Sequence, residues 1–98
     1  MENNFDTICA IITPLATGAV GIIRLSGDKS FKIASQIFDK KIKPKMINYG
    51  HIVDGYSVLD EVIILPFVSP HSYTGEDVVE IQTHGSPVII NSILELIL

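Results

Sequence analysis

VVEIQTHGSP, residues 78–87, decides the fold. Its first seven residues place Val79, Ile81 and Thr83 on one side and Val78, Glu80, Gln82 and His84 on the other. That two-residue period is a β-strand's. Gly85 then interrupts the pattern, and Ser86-Pro87 has the form of a helix start, with Ser as the cap and Pro in the first turn. One strand face is apolar. The other lines up a carboxylate, an amide and an imidazole. A sheet face open to water carries such residues routinely, so a solvated surface and a binding site both remain open from the pattern alone.

Upstream, VSPHSYTGED (68–77) reads as a long loop that sets Ser72, Tyr73, Thr74, Glu76 and Asp77 beside this strand. Long loops next to a strand are a usual place for sites. NYGHIVDGYSVLDEVIILPF (48–67) reads as a β-hairpin, with Asp54-Gly55 supplying the positive φ angles of a tight turn. Its second limb is apolar on both parities through Ile63, Ile64 and Leu65, which predicts an interior strand. TICAII (7–12) predicts a strand buried on both faces and stopped by Thr13-Pro14. LATGAVG (15–21) is a glycine-bearing loop and VGIIRLSG (20–27) a second short strand. Apolar spacing in DKSFKIASQIF (28–38) predicts a helix with Asp28 as N-cap, and KKIKPKM (40–46) a charged loop. The last helix carries no stop signal and ends on Leu96, Ile97 and Leu98, which predicts a fragment of a longer protein. The sum is an α+β fold: a mixed sheet of about five strands with two or more helices packed on it.

The bulk numbers agree with one folded domain. The chain has 98 residues, 47% of them hydrophobic, and seventeen are Ile, a composition that excludes disorder. Net charge is −4, so the domain as a whole is no polyanion binder. Four of its seven basic residues, Lys40, Lys41, Lys43 and Lys45, nevertheless fall in one segment, which reads as a solvated linker or a nucleic-acid footprint. The lone Cys9 permits no internal disulfide and fits a reducing compartment, as a buried inert thiol. MENNFDTICA is unlike a signal peptide, and no apolar run reaches the ~20 residues that span a bilayer. A soluble, cytoplasmic protein is expected.

Arg24 sits between Ile23 and Leu25 in a predicted strand, where a guanidinium needs an anionic partner. Glu80 is one candidate and a ligand carboxylate or carbonyl another. His51, His71 and His84 lie in separate segments and form no metal-ligand spacing. There is no G-x-S-x-G elbow and no G-x-x-x-x-G-K-[ST] phosphate loop. These residues alone are therefore not expected to hold a nucleotide.

DTICAIITPLATGAVGIIRLSG, VLDEVIILPF and SPHSYTGEDVVEIQTHGSPVI resemble the N-terminal domain of the MnmE (TrmE) family of tRNA-modification GTPases, across nearly all of residues 1–98. The glycine loop departs from the family's richer run, with Ala19 in TGAVG. The resemblance implies a cytoplasmic parent built from a folate-binding N-terminal domain, a helical domain and an inserted GTPase domain. GTP, magnesium and potassium would belong to that last part, outside these residues. With a flavin-dependent partner protein, the family modifies the wobble uridine of certain tRNAs at C5. The N-terminal domain is implied to form a homodimer and to bind 5-formyltetrahydrofolate or a related reduced folate, with Arg24 and Glu80 as the matching contacts. A further family contact, a lysine, would lie beyond Leu98. A pterin edge presents an N–H beside an exocyclic amine, and Glu80 is the residue to accept both. Val78 and the Ile-rich strands would supply apolar neighbours for the ring, with Gln82 and His84 orienting Glu80 or purely structural. The alternative is an assembly-only module in which Arg24 and Glu80 pair internally.

Overall fold

The computed structural model describes residues 7–11, 20–68 and 76–98. Pro14, Gly18, His71, Ser72, Tyr73, Thr74 and Gly75 lie outside the described residues, so the glycine loop and most of the long loop predicted above are not part of the description.

In chain order the elements are β1 (Ile8–Ile11), β2 (Val20–Ser26), α1 (Ser30–Ile37), β3 (Asn48–Asp54), β4 (Ser57–Phe67), β5 (Val78–His84) and α2 (Pro87–Ile97). The strands form the expected five-stranded sheet of an α+β fold, in the order β1-β2-β5-β4-β3. All four pairings are antiparallel. The strand quoted first, β5, is the middle of the sheet. The apolar limb β4 lies inside it, between β5 and β3.

Both helices cover one face. Ile23 pairs with Ile81, and Ile81 with Ile64. These three are fully buried beneath Ala34 of α1 and Ile90 and Ile93 of α2. The spacing of Ile90, Ile93 and Ile97 is that of one helix face. Burial of this face is the main driving force for the fold. Gly21 matters here: a Cβ at that position would run into the Ile90 side chain and Thr83 Oγ1. A side chain in β2 at that point would force Ile90 and Thr83 to shift.

Three sequence expectations need correction. The strand expected at residues 7–12 is described as Ile8–Ile11 and is not buried on both faces there. Among the described residues it is an edge strand in which Ile8 is 64% exposed, with no described helix over its second face. Asp28 is not the cap of α1. The helix starts later, at Ser30, with Lys29 in the cap position. Gly27, at φ 135°, makes the turn, and the Lys29 N–H donates to Thr7 Oγ1 at 2.9 Å. In the hairpin, Asp54 pairs with Ser57 as a strand residue, so the two-residue turn is Gly55-Tyr56, with Gly55 at φ 60°. The turn signal was right and one position early.

Candidate functional site

The face away from the helices carries Val20, Ile22, Arg24 and Ser26 from β2, and Val78, Glu80, Gln82 and His84 from β5. Across β4 it continues through Ile63, Leu65 and Phe67, which pair with Gln82, Glu80 and Val78. Antiparallel register puts each pair side by side on the same surface.

Register sets Arg24 directly beside Glu80. Arg24 Nε–H donates to Glu80 Oε2 at 3.0 Å, and Nη2–H donates to the same oxygen at 2.6 Å. The Glu80 side chain is 10% exposed and that of Arg24 30%. A carboxylate this far out of water needs an opposite charge, and the guanidinium on the neighbouring strand supplies it. Both bonds end on Oε2. Among the described residues nothing donates to Oε1. Glu80 therefore has one oxygen saturated by a planar N–C–N edge and the other available to accept a second such edge.

Two apolar expectations are refined by the burial. Val78 is fully buried between Ser26 and Phe67, so it presents no surface to a ring. Leu65, half-buried beside Glu80, with Ile63 and Phe67, provides the accessible apolar surface instead. One strand repeat from Glu80, about 7 Å along β5, Gln82 is half-buried. It lines an open cleft of about 330 Å³ together with Val20, Tyr49, Glu61, Ile63 and His84. Arg24 and Glu80 adjoin that cleft but do not line it.

Sequence reasoning missed what holds His84. Asp60, with a side chain 7% exposed, accepts the His84 backbone N–H at 2.8 Å and contacts ring Nδ1 at 2.6 Å. This fixes the imidazole at the end of β5 through its Nδ1 side. The signal was the β4–β5 register: Ile63 opposite Gln82 brings Asp60 and Glu61 to His84. His51 is held the same way. Asp39 Oδ1 accepts its N–H at 2.8 Å and Oδ2 meets Nδ1 at 2.9 Å. The His51 N–H lowers the Asp39 carboxyl below its usual value; partial desolvation opposes this, and the His51 ring and Lys40 add to the lowering. Cys9 is half-buried, and burial pushes its thiol up, the opposite of what a nucleophile needs. Among the described residues no three His, Cys, Asp or Glu side chains converge as metal ligands, and no helix is long and apolar enough to cross a membrane.

Comparison with known proteins gives the geometry a context. The family described as GTP-binding protein TrmE N-terminus matches residues 7–98. The tRNA modification GTPase MnmE of Streptococcus mutans is 47% identical over 102 residues, covering 100% of this chain and 22% of the relative. That of Streptococcus gordonii is 51% identical, covering 98% of this chain and 22% of the relative. The chain thus spans under a quarter of the length of the curated relatives it matches. Matched over 7–98 by this family and over its whole length by a relative 47% identical, the chain belongs to the TrmE N-terminal family.

Proposed function

We propose that this chain is the folate-binding and dimerisation domain of a cytoplasmic tRNA-modifying GTPase. The observation that carries the reading is the nearly buried Glu80 on the central strand, with Oε2 held by Arg24 and Oε1 open. A pterin edge offers the same N–C–N pair of donors as a guanidinium. Oε1 accepts that edge as Oε2 accepts Arg24, and the rigid strand fixes the direction. Arg24 keeps Glu80 in place and presents its exposed side to the anionic tail of the ligand. The ring lies over Leu65 and Ile63, towards Gln82.

Dimerisation draws its support from the same face. Ile8 and Val20, each more than half exposed, share it with the half-buried Ile63, Leu65 and Phe67. Apolar side chains gathered on the face that no described helix covers support a contact with a second copy there. In the longer parent this domain would serve wobble-uridine C5 modification with a flavin-dependent partner protein and tRNA. GTP and its magnesium and potassium ions would be held outside these residues.

The Arg24–Glu80 pair also favours a second reading, an assembly-only module in which each group merely satisfies the other. Equilibrium dialysis against 5-formyltetrahydrofolate, with sedimentation run in parallel, separates the two. The folate reading expects saturable binding that falls at least about tenfold in Glu80→Gln, one charge-assisted contact, while the dimer persists. A dimer that takes up no folate supports assembly alone.

A further inference from the structure

We propose that the loop at residues 40–47, with Tyr49, is a contact surface for single-stranded RNA. Lys40, Lys41, Lys43 and Lys45 are all exposed, and among the described residues none of their ammonium groups forms an ion pair. Asp39, next to Lys40 in sequence, bonds the N–H and ring of His51 and feels Lys40 only as a nearby charge. Four exposed cations within six residues, on a chain of net charge −4, make a local field opposite in sign to the rest of the molecule.

The loop is also held in shape. Asn48, 7% exposed, accepts the Lys43 N–H at 2.8 Å and donates to the carbonyls of Lys43 at 3.0 Å and Met46 at 2.9 Å. Lys45 adopts φ 66°, a left-handed conformation costly for a residue with a side chain. The bonds of the buried Asn48 amide hold this basic turn in one geometry despite the cost at Lys45, so little ordering remains to be done on binding. Three of the lysines, Lys40, Lys41 and Lys43, border a cleft of about 360 Å³ that Tyr49, 65% exposed, also lines. Cations beside an exposed aromatic ring suit a phosphate chain with an unstacked base. An acidic protein segment would use the lysines but not the ring. The relatives' names, tRNA modification GTPase, favour the nucleic acid.

The inference does not depend on the folate reading. Its test is fluorescence anisotropy of a labelled oligouridylate of about a dozen nucleotides, without folate. At about 0.7 released ions per phosphate, three lysine contacts predict a log–log salt slope near −2 and about a 20-fold loss between about 50 and 200 mM salt. Replacing Lys41 and Lys43 with Ala should cut affinity at least about tenfold and bring the slope near −0.7. Tyr49→Ala should cost at least about fivefold. Thermal unfolding checks that these exposed substitutions leave the fold intact. Glu80→Gln should bind the RNA like the wild type, so this experiment and the folate experiment fail separately. No binding at about 50 mM salt, or binding indifferent to the lysine pair, overturns the proposal. So does a polyglutamate peptide that binds equally well and ignores Tyr49→Ala.

Discussion

Glu80 and Arg24 show how strand register turns two unremarkable residues into one device. They are far apart in sequence, and only the antiparallel pairing of β2 with β5 brings them together. The guanidinium saturates one oxygen and leaves the other, so the same contact that stabilises the buried charge also aims it. Asp39 gives a prediction of a different kind at this scale. Its carboxyl is lowered chiefly by the His51 N–H. A group depressed in the folded state contributes stability that is present above its unfolded value, ~3.9, and lost as pH falls through the lower folded value. Asp39→Asn should therefore flatten the acid limb of the melting-temperature profile below about pH 4 and leave its neutral region nearly parallel to the wild type. An unchanged acid limb would show that the His51 contacts are not felt.

At the level of elements, packing of α2 on the sheet depends on the absence of a side chain at Gly21. Gly21→Ala should lower stability by roughly 1–3 kcal/mol in urea unfolding, the range for an overpacked core. A neutral effect would mean that Ile90 can turn aside without cost. The sequence made β5 and α2 legible because a period of two ends abruptly at Gly85-Ser86-Pro87, and Pro87 does begin the helix. It also offered Glu80 as one candidate partner for Arg24, and the register brings the two together. What it could not convey was coverage: apolar residues on both parities of residues 7–12 say nothing about whether a second layer lies over them. The Asp60–His84 contact was hidden for a related reason, since it exists only once the β4–β5 register is known. Edge protection is likewise non-local. Phe38 bridges to Ile52 and the Asp39 N–H donates to the His51 carbonyl at 3.0 Å, which shields part of the outer edge of β3. Gly50 makes room for the Phe38 ring in that contact.

Across the whole molecule the two faces of the sheet have separate tasks. One is sealed by α1 and α2 and holds the isoleucine core. The other carries a buried ion pair, a cleft and exposed apolar side chains, and it is the face on which a ligand and a second subunit would meet. The basic loop projects beside that face through Tyr49, which lines both clefts. The central claim is that Glu80 receives the ligand through its free oxygen. The most direct test is carbon-detected NMR of the Glu80 side-chain carboxyl during titration with 5-formyltetrahydrofolate. The account predicts a saturable shift of that resonance, with the Arg24 Nε–H signal retained because Oε2 stays bonded. A ligand that binds without moving the Glu80 carboxyl, or that never binds, would contradict it.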